Sequence, residues 1–165
     1  MKKNKAIVGI IMGSDSDLPV MKESADMLKK LGISCDVKIL SAHRTPDAAA
    51  KFARNARKNG MKVIIAGAGG AAHLAGITAA HTTLPVIGVP METRLDGVDS
   101  LLSTVQMPAG VPVATVAIGK AGAINAAILA AQIIGTSSQT VASRLDRYKK
   151  ELVRKVEEKN RKINL

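Results

Sequence analysis

Residues 6–17 read AIVGIIMGSDSD. Seven residues, nearly all aliphatic, run without a polar break until Gly13-Ser14-Asp15 stops them. A run this short, rich in branched side chains and closed by a turn signal, is a strand buried on both faces. Asp17–Leu31 follows, with apolar residues at Leu18, Met21, Ala25, Leu28 and Leu31. That is the spacing of one helix face, and Gly32 ends it. A buried strand running straight into an amphipathic helix is the first half of a βαβ unit.

The alternation continues down the chain. Strands are predicted at Ser34–Leu40, Lys62–Ala66, Pro85–Val89 and Val113–Val116. Helices are predicted at Pro46–Asn59, where Thr45 can cap and Pro46 suits the first turn, and at Gly70–Ala80, Val98–Gln106 and Lys120–Ile134. Five alternations imply an α/β fold: a three-layer, doubly wound, flavodoxin-like domain with five parallel strands in the order 2-1-3-4-5. Residues 1–135 make up that domain. After a break at Gly135–Ser138, a last helix runs from Gln139 to about Arg161. Its apolar stripe is Val141, Leu145, Tyr148, Leu152 and Val156, in an otherwise charged surface. Because it follows a completed fold, residues 136–165 are expected to pack on a neighbouring subunit; the alternative is that they fold back on their own domain.

Composition narrows the function. The 165 residues suffice for one core, and 47% are hydrophobic. Phe52 and Tyr148 are the only Phe, Tyr or Trp residues, so the chain lacks stacking platforms for single-stranded nucleic acid. The net charge is +11, but it is uneven. Residues 1–62 hold 13 basic and 6 acidic side chains, 63–135 hold 2 and 3, and 136–165 hold 9 and 4. The basic residues share amphipathic helices with acids, which favours solvated helix faces over a nucleic-acid surface. The nearly uncharged stretch 107–134 is expected to be buried between subunits. Cys35 is the single cysteine and lies in a predicted strand, so it reads as a buried, inert thiol of a cytoplasmic protein, with no disulfide and no cysteine-based metal site. The basic start Met1-Lys2-Lys3-Asn4-Lys5 leads into a strand too short for a signal peptide, and no apolar run is long enough for a membrane span.

Three strand ends carry polar motifs. After the first strand, Gly13-Ser14-Asp15-Ser16-Asp17 offers a sharp turn, two hydroxyls and a helix start, a combination that can hold an anion. After the second, Ser41-Ala42-His43-Arg44 sets an acid/base group beside an anion clamp. After the third, Gly67-Ala68-Gly69-Gly70-Ala71-Ala72-His73 lets a backbone approach a ligand and can form an anion nest. It also fits a dinucleotide fingerprint, with Glu92 at the distance of a ribose contact, which keeps a nucleotide-binding module as an alternative. In the 2-1-3-4-5 order these three ends are neighbours at the switch point where such sheets bind ligands. One crevice then holds two serines, Asp17, His43, Arg44, a glycine loop and His73, which points to a small phosphorylated ligand and proton transfer. No His or carboxylate cluster has metal-ligand spacing, and no phosphate-binding loop of the ATPase type is present.

At these residues the chain resembles the bacterial 5-(carboxyamino)imidazole ribonucleotide mutases, the small-subunit type of phosphoribosylaminoimidazole carboxylase. The resemblance covers residues 6–135. It rests on GIIMGSDSD (9–17), SAHRTPD (41–47), VIIAGAGGAAHL (63–74), PVIGVP (85–90), DSLLSTVQMPAGVPVATVAIGKAGA (99–123) and NAAILAAQI (125–133). It implies a homo-octamer without metal or organic cofactor that moves a carboxylate from the exocyclic nitrogen of the imidazole to ring carbon C4. Carried over by motif, Ser14, Ser41 and Arg44 bind the phosphate, and Asp17 the ribose. Ser16 with the backbone of Gly69, Gly70, Ala71 and Ala72 completes the pocket. His43 is the general acid/base, and His73 helps enclose CO2. Related true carboxylases, which use free CO2, carry Lys-Gly after the active-site histidine; Arg44-Thr45 here matches the mutases. Three departures stand out: Ala75 replaces a usual proline, Met91–Gly97 is one residue short, and His81 occupies a variable position expected at the surface.

Overall fold

The structure, a computed structural model, describes residues 6–163. Its elements, in chain order, are β1 (Val8–Met12), a 3-10 turn (Asp15–Asp17), α1 (Leu18–Lys30), β2 (Cys35–Ile39), α2 (Pro46–Ala56), β3 (Val63–Ala68), α3 (Leu74–Ala80), β4 (Val86–Pro90), α4 (Val98–Val105), β5 (Ala114–Thr115), α5 (Gly119–Gly135) and α6 (Gln139–Asn160). All strand pairs are parallel, and the order is β2-β1-β3-β4-β5. This is the flavodoxin-like arrangement predicted.

Alternation along β1 splits the core into two layers. Val8, Ile10 and Met12 pack with Met21 and Leu28 of α1 and with the alanines of α5. Ile11 faces the other way, with Ile64 and Ala66 of β3 and Ala49 and Phe52 of α2. Gly9 shares that second face, and the Phe52 ring lies 2.9 Å from where its Cβ would stand. β1, β3 and β4 are buried along their whole length, as covered parallel strands require.

Several boundaries move for identifiable reasons. α3 begins at Leu74, not Gly70, because Gly70–His73 close on themselves: the Ala72 amide donates to the Gly70 carbonyl at 2.8 Å and the His73 amide to the Ala71 carbonyl at 2.8 Å. Thr45 sits at the N-cap of α2, but its side chain does not cap it. Its hydroxyl instead accepts from the Ser41 amide at 2.9 Å and donates to the Ser41 carbonyl at 3.1 Å. Cys35 is half-buried at the edge of the sheet, where burial pushes its thiol pKa up, helped by Asp36 and Asp26. Ala75 falls in the first turn of α3, where an amide has no intrahelical partner, so alanine and proline serve equally there.

The expectation that 107–134 hides between subunits holds poorly for α5. Ala123, Ala126, Ala127, Ala130 and Ala131 are buried within their own chain, because small side chains let α1 and α6 approach α5 closely. Pro108, Ala109 and Gly110, before β5, are exposed.

The first half of α6 folds back on its own domain, as the alternative reading allowed. Val141 and Leu145 are buried and Tyr148 packs against the core, whereas Leu152 and Val156 are 43% and 58% exposed. Arg144 fastens this half to the end of α1. Its Nη1 donates to the Leu31 carbonyl at 2.9 Å and the Gly32 carbonyl at 3.0 Å. These carbonyls follow the last turn of α1, where acceptors lack helical partners and a cation is favoured. Gly32 is left-handed (φ +66°), and a Cβ there would overlap the Arg144 guanidinium. Lys30 and Glu151 add an exposed ion pair at 2.7 Å, worth little by itself.

Candidate active site

A cleft of about 530 Å3 opens at the carboxyl ends of β2, β1, β3 and β4. Its walls include Ser14, Ser16, Asp17, Ser41, His43, Arg44, Gly69, Ala71 and His73. Of the residues singled out in the sequence as site residues, Gly70 and Ala72 do not line it.

Each wall is fixed by short-range bonding. Gly13 continues the β1–β3 ladder, its amide donating to the Gly67 carbonyl at 3.2 Å. Ser14 then caps the 3-10 turn, accepting from the Ser16 amide at 3.4 Å. On the β2 side, the Ser41 hydroxyl accepts from the Arg44 amide at 3.1 Å, and Arg44 Nη2 donates to the Gly13 carbonyl at 2.9 Å. The guanidinium thus bridges two strand ends and keeps further N–H donors for an anion.

Asp17 is half-buried, and its pKa is raised, chiefly by that burial. Hydrogen bonds from the Ser14 backbone, the Ser16 side chain and the Gly13 backbone, and the charge of Arg44, pull the other way without cancelling it. For an acid whose folded value is raised, ionisation opposes folding above that value, and the penalty vanishes below the ordinary aspartate value of 3.8. Asp17→Asn is therefore expected to raise the melting temperature of the ligand-free protein near neutral pH. The gain should shrink to nothing as the pH falls below the ordinary aspartate range. A melting series from acid to neutral pH checks this, and a gain independent of pH would count against it.

The two histidines meet across the cleft. His43 Nε2 lies 2.8 Å from His73 Nδ1, with ring centroids 4.9 Å apart and planes at 78°. One nitrogen donates and the other accepts, so the rings take complementary tautomers. The pair joins two loops 30 residues apart and sets an exposed proton-carrying group in the same cleft as Arg44.

The glycine loop is held from below by α4, which the sequence reading missed. The Gly70 amide donates to Ser100 Oγ at 2.9 Å, and Ser103 Oγ donates to the Gly70 carbonyl at 3.1 Å. The signal was a Ser-x-x-Ser spacing on one face of a predicted helix. The Gly70, Ala72 and His73 amides are thus already engaged within the chain, which leaves less of an anion nest than three glycines suggested. Met91, Glu92 and Thr93, at the end of β4, also line the cleft. The Met91–Gly97 segment there turns through Asp96 (φ 53°) and Gly97 (φ 80°) and is pinned by the Thr93 hydroxyl on Asp99 at 2.5 Å. That hydroxyl is the main cause of a lowered pKa at Asp99. His81 is half-buried at the end of α3, away from the cleft. Among the described residues, no cluster of three or more His, Cys, Asp or Glu could hold a metal ion.

The chain matches the AIR carboxylase family model over residues 7–155. It belongs to the AIR carboxylase family. The match spans every strand and helix that shapes the cleft, together with most of α6. Relatives from this family are close. The N5-carboxyaminoimidazole ribonucleotide mutase of Pyrococcus horikoshii is 57% identical over 164 residues, 99% of this chain and 92% of that one. The enzyme of the same name from Pseudomonas aeruginosa is 64% identical over 131 residues, covering 79% of this chain and 80% of its own. Among solved structures, PurE of Treponema denticola superposes with a TM-score of 0.86 at 26% identity, over 96% of this chain and 98% of that one. Family membership therefore extends to the whole architecture, and the flavodoxin-like reading stands.

Proposed function

We propose that this protein is a mutase of purine biosynthesis. It converts 5-(carboxyamino)imidazole ribonucleotide to 4-carboxy-5-aminoimidazole ribonucleotide without ATP, by decarboxylation and recarboxylation. The observation that carries the reading is one cleft lined by both the Arg44, Ser41 and Ser14 group and the hydrogen-bonded His43–His73 pair. The mutase names of relatives at 57–64% identity support it.

In this reading Ser14, Ser41 and Arg44 hold the phosphate. Asp17 accepts from the ribose hydroxyls, which stabilise its half-buried carboxylate. Ser16 and the Gly69–Ala72 backbone complete the pocket. His43 donates a proton to the exocyclic nitrogen as the bond from that nitrogen to the carboxylate carbon breaks and CO2 leaves. Ring carbon C4 then attacks the CO2, and His43 takes back the C4 proton, so no net proton is consumed. His73 orients His43 and, with the glycine loop, closes the cleft over the CO2, which an open site would lose to water. The reaction needs no cofactor. The working form is a cytoplasmic homo-octamer in which the exposed end of α6 and the apolar outer face of α4 (Val98, Leu102, Val105) are covered by neighbouring subunits. No helix among the described residues is long and apolar enough to cross a membrane.

The test is a conversion assay on freshly generated carboxyamino substrate, without ATP and with bicarbonate removed. Carboxylation at C4 is expected at full rate. Activity only with free aminoimidazole ribonucleotide and high bicarbonate would make the protein a direct carboxylase instead. A monomer in sedimentation at micromolar concentration would defeat the octamer.

A further inference from the structure

Two carboxylates line the cleft, and only one has a role so far. Asp17 is tied into the β1 turn by Ser16 and backbone amides. Glu92, just past β4, makes no hydrogen bond or ion pair with any described residue, yet its side chain has a defined place. It lies over the first residue of α5, with Oε1 2.9 Å and Cδ 3.5 Å from where a Gly119 Cβ would stand. That helix has 17 residues and no side-chain cap. Its first-turn amides lack intrahelical partners, and its positive end attracts the carboxylate and steadies it there.

The sheet order fixes what this carboxylate can read. β4 is two strands from β1, which puts Glu92 roughly 10 Å from the Ser14–Asp17 corner at the usual strand spacing. That is the reach of a ribonucleotide from its phosphate to the far edge of its base. α5 packs on the same side of the sheet as α1, whereas the loops of His43 and His73 lead into α2 and α3 on the other side. A ring lying between them would present C4 and the C4-facing side of its exocyclic nitrogen to the histidines, and the far side of that nitrogen to Glu92. An ionised carboxylate only accepts hydrogen bonds, and it repels a second carboxylate.

We infer that Glu92 is a specificity-determining residue: it accepts a hydrogen bond from the exocyclic amine of the aminoimidazole and keeps the migrating carboxylate on the histidine side of the cleft. The inference rests on the proposed reading of the cleft as an aminoimidazole ribonucleotide site.

The test uses calorimetric titration with two probes, aminoimidazole ribonucleotide and ribose 5-phosphate, which shares the phosphate and sugar but lacks the ring. Glu92→Gln keeps an acceptor but loses the charge. It is expected to weaken aminoimidazole ribonucleotide about tenfold, the difference between a charge-assisted and a neutral hydrogen bond, and to leave ribose 5-phosphate unchanged. Unaltered affinity for both probes would overturn the assignment, as would equal weakening of both, which would mean a role in the sugar-phosphate site or the fold. If the wild type itself binds aminoimidazole ribonucleotide no better than ribose 5-phosphate, the functional reading of the cleft falls and takes this assignment with it.

Discussion

His43→Asn is expected to abolish conversion, by about 10³-fold or more in kcat, because one ring serves both proton transfers and a positioned acid/base group contributes roughly 10²–10⁴-fold at a single step. Asparagine retains an amide that can still meet His73 Nδ1, so the loop contact that His43 makes at 2.8 Å is partly preserved. Binding should survive: Ser14 is held within its own turn by the Ser16 amide, and the bonds of Arg44 to Ser41 and Gly13 do not pass through the imidazole. Affinity for aminoimidazole ribonucleotide should therefore stay within about threefold of wild type while turnover disappears, the signature of a group that acts in the transition state alone. Steady-state kinetics with a matched binding titration distinguish the outcomes. A variant that retains a tenth of wild-type turnover would remove His43 from the chemistry and move attention to His73.

Gly122→Ala is expected to destabilise the fold severely, against its local preference. Helix propensity alone favours the change by about 1 kcal/mol, since Gly122 lies inside α5. Space decides against it. A Cβ at 122 would overlap the Ala117 carbonyl oxygen, and that neighbour is backbone rather than a flexible side-chain tip. Relief requires moving the β5–α5 connection and with it Gly119 and Glu92. Overpacking against backbone should outweigh propensity and leave a net loss of at least about 3 kcal/mol, a fall of roughly 6–12 °C in melting temperature for a chain of this size. Gly135→Ala, in the same helix, is the control. Its Cβ would meet nothing closer than Leu145 Cδ1 at 3.5 Å, an ordinary contact, so it should be neutral or slightly stabilising. Chemical unfolding of the two variants beside wild type measures the difference. Equal stability of both would show that the start of α5 yields more easily than its geometry implies.

Most of the fold was legible because the strands are short apolar runs bounded by turn residues, and parallel strands separated by helices leave few topologies. The strand-end motifs were legible for the same reason: the sheet order brings Ser14, Ser41, His43 and His73 together without any knowledge of side-chain contacts. What sequence reading missed depends on packing across the chain. Gly70–Ala80 has the small residues of a tightly packed helix, but the local backbone bonds within Gly70–His73 outcompete its first turn. Thr45 has the right type and position for a cap, yet Ser41 offers its hydroxyl both a donor and an acceptor. Ser100 and Ser103 looked like ordinary polar positions on α4, because nothing local says that the glycine loop lies above them. Glu92 was visible only as a distance from a glycine motif. Its true setting, over Gly119, comes from a residue 27 positions downstream.

The contact between Gly32 and Arg144 also constrains how this sequence can drift. The guanidinium occupies the volume that any side chain at position 32 would need, and the left-handed backbone there already favours glycine. A change at 32 made first meets both obstacles at once. A change at 144 made first removes one, after which asparagine, the residue other than glycine that best tolerates that backbone, becomes admissible. The two sites are thus epistatic, and their order of substitution is fixed: arginine must leave the last helix before glycine can leave the end of the first.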